Sequence, residues 1–224
     1  MSEKRPGIEV VIGYLLGQKN PVVVDLGAHT GKTTQIWLDA GAKFVVAVEP
    51  LPMSVCALEE RFKGDRRVVV AACVVAGTKG YSRLYIPDKF KGKDRSQGCT
   101  IFREPLKEKK RHGRLTGYGK VPVMSYRLQD ILHALERKDE RVVHMMKVNI
   151  EGAEYEVLED LPAGIKSMFI SWHSHAPFHT KEYQRKYAKL CLQFVDMGFG
   201  LISKESRGDH LWEFWKHEDS NHPD

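Results

Sequence analysis

Short runs of aliphatic residues alternate along the chain with stretches whose apolar residues recur at helical spacing. Runs rich in valine and isoleucine are typical of strands buried on both faces, and i, i+3, i+4 spacing is typical of amphipathic helices. The alternation favours right-handed βαβ units, and therefore a doubly wound α/β fold with a mainly parallel sheet. We predict strands over 22–24, 44–48, 68–75, 142–149 and 167–172, and helices over 8–16, 32–40, 53–62, 128–135, 153–161 and 181–197.

Further short apolar runs predict additional strands. They are an added strand over 81–86, a return to the sheet edge over 121–124, and a terminal strand pair over 199–203 and 211–215.

The length of 224 residues suits one domain. We predict an N-terminal helix segment over 1–20, a single domain over 21–217 that includes a long basic loop or lid over 87–120, and a polar tail over 218–224. No window approaches the roughly 18 uninterrupted apolar residues that a membrane helix needs, and the first four residues are polar. We therefore expect a cytoplasmic protein with no secretory signal and no membrane partner.

The four cysteines lie far apart, and no two of them have the spacing of a zinc site. Three of them, Cys56, Cys73 and Cys191, have apolar neighbours in the sequence. We expect reduced and mostly buried thiols.

The net charge of +6 is concentrated in one segment. Residues 89–120 contain eleven Lys or Arg and three Asp or Glu, so the segment carries +8 and the rest of the chain −2. This excursion fits a lid that carries an anionic acceptor, such as a phosphorylated sugar, an acidic glycan or a nucleic acid. It fits equally well a solvated loop whose lysines keep it soluble.

A glycine-containing turn, Asp25-Leu-Gly-Ala-His-Thr-Gly31, follows the first predicted strand. In a doubly wound sheet this turn lies at the carboxyl edge of the strands, where ligands bind. Gly27 allows a sharp turn, and the N–H groups at the helix entrance beside Gly31 can hold a carboxylate. Glu49 ends the second strand, just before Pro50, and can accept hydrogen bonds from both hydroxyls of a ribose. The pattern predicts a nucleoside-type cofactor.

Two other nucleotide sites are disfavoured by spacing. A phosphate-binding P-loop needs four residues between its glycines, whereas Gly27 and Gly31 enclose three. The chain also lacks the G-x-G-x-x-G form at this turn, which disfavours a dinucleotide-dependent oxidoreductase.

Three segments make the sequence resemble the FkbM family of class I methyltransferases. They are Val24-Asp-Leu-Gly-Ala-His-Thr-Gly31, Val48-Glu-Pro-Leu-Pro52 and the more specific Lys147-Val-Asn-Ile-Glu-Gly-Ala-Glu154.

The resemblance implies a Rossmann-like, mainly parallel seven-stranded sheet with a terminal antiparallel strand. It also implies S-adenosyl-L-methionine as the cofactor and methylation of a hydroxyl oxygen. The residues that it places around the cofactor are Asp25, Gly27, Ala28 and Gly31 beside the methionine half, Glu49 at the ribose, and Ala72 and Cys73 at the adenine. His29, Pro50 and Asn149 are further cofactor-binding candidates.

The chain departs from the family at two of these positions. Asn149 stands where the family usually has Asp, and His29 stands where it usually has Asn. An amide can hold a substrate group but cannot act as a base.

Candidate catalytic residues follow the fourth and fifth strands. Glu151 and Glu154 follow the fourth, beside Asn149, and His173 and His175 follow the fifth. His173 is the favoured general base because histidine titrates near neutrality. The alternatives are that Glu154 only charges the first turn of its helix, and that His173, His175 and His179 form either a surface loop or, with Glu151, a metal site.

The leading hypothesis is O-methylation of a hydroxyl on a sugar or small molecule. A nucleic-acid methyltransferase that uses the basic 89–120 segment is the alternative, and a catalytically inactive cofactor-binding module is the second. The sequence leaves the oligomeric state open.

Overall fold

The computed structural model describes residues 7–87, 99–101, 118–136, 142–173, 180–208 and 210–221. The helices are α1 (Ile8–Leu16), α2 (Lys32–Asp39), α3 (Pro52–Arg61), α4 (Leu128–Glu136), α5 (Glu154–Val157) and α6 (Lys181–Asp196). The strands are β1 (Val22–Leu26), β2 (Phe44–Val48), β3 (Val68–Ala71), β4 (Val74–Val75), β5 (Gly80–Pro87), β6 (Tyr118–Tyr126), β7 (Met145–Val148), β8 (Ser167–His173), β9 (Phe199–Arg207) and β10 (His210–His217).

Seven strands form the main sheet in the order β3-β2-β1-β7-β8-β10-β9. Neighbouring strands are parallel from β3 through β8, and β10 runs antiparallel to both β8 and β9. The predicted mainly parallel sheet with one terminal antiparallel strand is therefore confirmed. The strand order reverses between β1 and β7, and a ligand site is expected beyond the carboxyl ends of the strands at such a reversal.

The main sheet is buried because apolar side chains cover both of its faces. Every residue of β1, β7 and β8 is buried. One face packs on α1 and α2 through residues such as Val11, Trp37 and Phe169. The other face packs on α6 and the segment around α5 through residues such as Tyr155 and Phe194.

The predicted strand over 68–75 is two strands in two sheets. The chain turns at Ala72, where the Cys73 amide donates to the Ala71 carbonyl at 3.0 Å. The second part, β4, then pairs with β6 instead of continuing along β2. Hydrophobicity is the same on both sides of this turn, so the sequence pattern could not show it.

The prediction that residues 121–124 lie at the edge of the main sheet is also wrong. It belongs to β6, the central strand of a separate three-stranded sheet with the order β4-β6-β5. We call this unit the small sheet. Its strand β6 begins at Tyr118, so the last residues of the basic loop predicted over 87–120 belong to this sheet. At the other end of the predicted loop, β5 extends to Pro87. Most residues between these strands lie outside the described ranges.

Two smaller expectations also change. The predicted helix over 153–161 is only one turn, α5, and the chain has left helical geometry before Pro162, a residue that disfavours helix in the residue preceding it. The cysteines are free, but only Cys73 is buried, and Cys56 is exposed. Within the described ranges, no helix has the length and apolar content needed to cross a bilayer.

Candidate cofactor and active site

Two loops meet at the point where the strand order reverses. The loop after β1 contacts the loop after β7 at Gly27, whose φ is +74°. A Cβ atom at Gly27 would lie 2.0 Å from the carbonyl oxygen of Asn149, so no other residue fits. The Gly27 and Ala28 amides both donate to the Val48 carbonyl, at 2.9 and 3.0 Å, which ties the loop to the end of β2.

The entrance of α2 is equally crowded. Gly31 has a φ of +77°, and a Cβ atom there would lie 2.5 Å from the Phe62 ring. As the N-cap residue, Gly31 places no side chain over the amides of the first helical turn. These N–H groups form a favourable position for a carboxylate.

Glu49 holds the rim of the loop from the end of β2. Its Oε2 accepts from the His29 amide at 2.9 Å, and its Oε1 accepts from the Leu51 amide at 2.9 Å. Burial raises the pKa of this carboxyl, while the two amides and the charge of Lys147 oppose the rise. Each oxygen keeps a further lone pair, so the group can still accept from two hydroxyls. The structure thus brings together His29 and Glu49, which the sequence analysis assigned to one cofactor.

The end of β3 completes this side of the site. The Glu49 amide donates to the Ala71 carbonyl at 3.1 Å, so Ala72 and Cys73 follow directly beside Glu49 and Pro50. Ala72 is exposed and Cys73 is buried. Burial raises the pKa of the Cys73 thiol to about 11, so it remains protonated at neutral pH and packs as a small apolar group.

Asp25 lies beneath the loop rather than on its surface. Its Oδ1 is 3.0 Å from the Lys147 ammonium, and both side chains are fully buried. Thr34 donates its hydroxyl to Asp25 Oδ2 at 2.9 Å. Lys147 also donates to the carbonyls of Leu26 and Gly27, at 2.9 and 2.6 Å. This ammonium therefore fixes the course of the glycine loop from inside the protein.

Lys147 was not identified as a functional candidate from the sequence. The available signal was its position as a single charge among the apolar residues of β7, because a buried ammonium needs a carboxylate partner.

Two carboxylates and an imidazole form a cluster at the ends of β7 and β8, in which His173 and Glu154 are buried and Glu151 is partly exposed. The Nδ1 of His173 lies 3.0 Å from Glu154 Oε1, and its Nε2 lies 3.3 Å from Glu151 Oε2. Glu154 also accepts from the amides of Ile150 and Gly152, at 2.9 and 2.8 Å. These bonds hold the turn in which Glu151 has a φ of +55°.

The charges in this cluster differ from those expected. Burial disfavours a charged ring, but the carboxylates of Glu154 and Glu151 outweigh it and raise the pKa of His173 to about 10. Burial likewise opposes the charge of Glu154, whose pKa is nevertheless lowered by His173 and the backbone amides. The expectation that His173 titrates near neutrality is therefore wrong: the ring is a cation at neutral pH.

Asn149 lies between the glycine loop and this cluster. Its amide donates to the Leu26 carbonyl at 3.2 Å, and its carbonyl contacts Gly27. Its side-chain Oδ1 is buried and has no hydrogen-bond partner among the described residues. A buried unpaired acceptor costs free energy, so this atom is suited to receive a donor from a ligand.

Two residues near the cluster were not predicted from the sequence. Thr100 donates its hydroxyl to the Glu151 carbonyl at 2.9 Å. The His210 ring lies 4.5 Å from the His173 ring, and its Nδ1 is 3.1 Å from the Ser171 hydroxyl. Both contacts join residues that are distant in sequence, and no motif marks either residue.

The metal-site alternative has no counterpart in the described ranges, where no group of three or more His, Cys, Asp or Glu side chains is placed to hold an ion. His175 and His179 lie outside those ranges.

The fold and the paired loops are those of the class I methyltransferase fold. A Methanococcus jannaschii fibrillarin, a pre-rRNA processing protein, superposes with a TM-score of 0.51 at 11% identity, covering 90% of this chain and 68% of that one. An rRNA methylase from Streptococcus thermophilus superposes with a TM-score of 0.50 at 10% identity, covering 97% and 99% of the two chains. At these identities the likeness shows the fold alone.

The Methyltransferase FkbM domain family matches residues 25–200, and the chain belongs to this family. It is therefore an S-adenosylmethionine-dependent methyltransferase, and the resemblance found in the sequence is confirmed. Among curated proteins, no sequence matches the chain.

Proposed function

We propose that the protein transfers a methyl group from S-adenosylmethionine to a hydroxyl oxygen of a sugar or small molecule. Binding of the cofactor is supported by the contact between the glycine loop and Glu49, in which the His29 amide donates to the Glu49 carboxylate at 2.9 Å. The observation that carries the hydroxyl part is the cluster of Glu151, His173 and Glu154 on the adjacent strand ends.

The residues around the glycine loop fit each part of this cofactor. The open amides beyond Gly31 would receive the methionine carboxylate, with His29 and Ala28 along the same edge. Glu49 would accept from the ribose hydroxyls. Ala72 and Cys73 would flank the adenine, because they extend β3 beside Glu49.

The bound cofactor supplies a methyl group on a cationic sulfur, which needs no further activation to leave. The protein's own task is to hold the acceptor oxygen in line with that methyl group. Such alignment can lower a barrier by about 7–11 kcal/mol. The unpaired Oδ1 of Asn149 would accept a hydrogen bond from the acceptor and so fix its orientation.

The acceptor hydroxyl must also lose its proton. His173 cannot take it at neutral pH because its ring is already protonated. Glu151 is the carboxylate of the cluster that reaches the surface, with 22% of its side chain exposed. We therefore assign proton acceptance to Glu151, and assign His173 and Glu154 to positioning it. A general base of this kind contributes about 10²–10⁴-fold to the rate.

A screen with methyl-labelled cofactor tests the proposal. Label should appear in hydroxylated sugars or small molecules, and Glu151→Gln should abolish most of it while leaving S-adenosylhomocysteine affinity unchanged. Glu156→Gln is the matched control, because Glu156 is a nearby glutamate in α5 whose side chain is exposed. Cofactor binding without label in any acceptor would support the inactive-module alternative, and failure of cofactor binding would refute the proposal.

A further inference from the structure

One face of the small sheet packs on the protein, and the other is open to solvent. Leu84 and Val123 point inward and are buried in a cluster with Leu51, close to Glu49. Because side chains alternate along a strand, Tyr81, Arg83 and Tyr85 lie on the opposite face of β5. Lys120 of β6 is paired with Tyr85 of β5, so its side chain lies on this same face of the sheet. We call these four residues the outer face.

The outer face combines cations with one exposed aromatic ring, that of Tyr81, and one half-buried ring, that of Tyr85. Tyr81 is 86% exposed, and Arg83 and Lys120 are also exposed. The Lys120 ammonium lies 6.0 Å from the centroid of the Tyr85 ring. Residues 79–87 and 118–126 contain three Lys or Arg, no Asp or Glu, and four of the protein's eight tyrosines. The face is therefore positive and offers flat rings for stacking.

The outer face is also connected to the proposed catalytic loop. The backbone of Tyr85 exchanges two hydrogen bonds with Thr100, at 2.8 and 3.1 Å. The Thr100 hydroxyl in turn donates to the Glu151 carbonyl. The outer face is thus joined through Thr100 to the loop that carries Glu151.

We propose that the outer face binds single-stranded RNA, and that the acceptor is a ribose hydroxyl of the bound strand. The inference rests on the proposed methyl transfer to a hydroxyl oxygen, and it names a ribose within RNA as the sugar that carries this hydroxyl. Phosphates would pair with Arg83 and Lys120, and bases would stack on Tyr81 and Tyr85, which is how proteins hold single strands.

The transfer balances with the groups already named. A lone pair of the ribose oxygen forms the new O–C bond, the S–C bond breaks with its electron pair retained by sulfur, and the hydroxyl proton passes to Glu151. The products are the methylated ribose and S-adenosylhomocysteine.

Fluorescence anisotropy with a labelled oligouridylate of about 12 nucleotides, within the usual range of site sizes, tests the binding step. Tyr81→Ala and Tyr85→Ala should each weaken binding by about 5- to 150-fold, the effect of losing one stacked base. The double variant Arg83→Gln/Lys120→Gln should reduce the salt slope of log K by about 1.4, since each phosphate contact on a single strand contributes about 0.7. Lys63→Gln/Lys189→Gln removes two exposed lysines elsewhere and should change neither quantity.

Two parallel measurements separate the possible failures. S-adenosylhomocysteine calorimetry on every variant should show unchanged cofactor affinity. If the cofactor binds but the oligouridylate does not, or if polyphosphate of equal charge binds as tightly, the RNA inference fails while the proposed function stands. If the cofactor itself does not bind, the proposed function fails. Label should enter the oligouridylate but not the oligodeoxyuridylate, and equal labelling of both would overturn the ribose assignment.

Discussion

At the scale of single residues, the site depends on two non-glycine residues in left-handed backbone conformation. His29 has a φ of +51° and Glu151 a φ of +55°. Each such residue costs about 1–3 kcal/mol and persists only when neighbours fix it. Glu49 holds the amide of His29, and Thr100 holds the carbonyl of Glu151.

The sequence predicted the first of these contacts only in part. The turn and the strand-end acid, His29 and Glu49, could be assigned to one cofactor because both follow parallel strands. The partner of Glu151 could not be predicted, because nothing in the sequence around Thr100 indicates that it crosses to residue 151. The charge of His173 was also beyond the sequence, since it results from two carboxylates and deep burial.

Substitution of Glu49 by glutamine should weaken cofactor binding. The variant keeps the shape but loses the charge and one acceptor oxygen, so the His29 or Leu51 amide loses its partner. We expect S-adenosylhomocysteine affinity to fall by about 10- to 150-fold, the range for a hydrogen bond to a charged group. Isothermal titration calorimetry measures it, with the exposed Glu59→Gln as the control. Equal affinity in both variants would remove Glu49 from the cofactor site.

Substitution of His173 by glutamine should produce a pH-dependent loss of stability. The pKa of His173 is raised from 6.5 to about 10, so its contribution is complete below about pH 6.5 and disappears as the pH rises through about 10. The lowered pKa of Glu154 adds stability above pH 4.5 that is lost as the pH falls through the lowered value. The difference in unfolding free energy between wild type and variant should therefore be larger at about pH 7 than at about pH 10.5.

Denaturant unfolding at the two pH values measures this difference, and the exposed His133→Gln is the control. The same His173 variant should have lower kcat with unchanged cofactor affinity. A stability difference that is independent of pH would contradict the assignment of His173 as a buried cation.

At the scale of the elements, the small sheet joins the end of β3 to the loop after β7. The sequence pattern predicted the strands of the small sheet but not that they form a separate sheet. Hydrophobic patterning identifies a strand but not its neighbours. The turn at Ala72 separates β4 from β3, and the Tyr85–Thr100 pairing brings β5 to the loop after β7. Both depend on long-range contacts.

Substitution of Thr100 by valine should loosen the loop that carries Glu151. The variant preserves the shape but removes the donor to the Glu151 carbonyl, at a cost of about 0.5–1.5 kcal/mol in stability. We expect kcat to fall by about 2- to 10-fold, corresponding to that range, with unchanged cofactor affinity. Steady-state kinetics checks this, and Thr100→Ser should restore the rate because it retains the hydroxyl. A Thr100→Ser variant as slow as Thr100→Val would contradict the role of the hydroxyl.

At the scale of the whole molecule, the sequence predicted the class of fold and the family. Parallel strands buried on both faces produce long aliphatic runs, and the glycine loop has a fixed place relative to them. The sequence did not predict that a buried ion pair, Asp25–Lys147, joins the two central strands beneath the loop.

Removal of the Lys147 ammonium should destabilise the entire domain. Lys147→Met leaves the buried Asp25 carboxyl group without its cationic partner, at a cost of about 3–5 kcal/mol. For a chain of this size we expect the Tm to fall by about 6–20 °C, since each kcal/mol lowers it by about 2–4 °C. Calorimetric melting measures the change. The double variant Lys147→Met/Asp25→Asn should recover part of the loss, and a double variant as unstable as the sum of both single ones would contradict the pairing.

The most direct test of the central claim is a co-crystal structure with S-adenosylhomocysteine. We expect the ligand between the loop at Gly27 and the end of β2, with both ribose hydroxyls donating to Glu49 and the amino-acid end beside the entrance of α2. Ligand density at any other position, or a ribose that does not contact Glu49, would contradict the account.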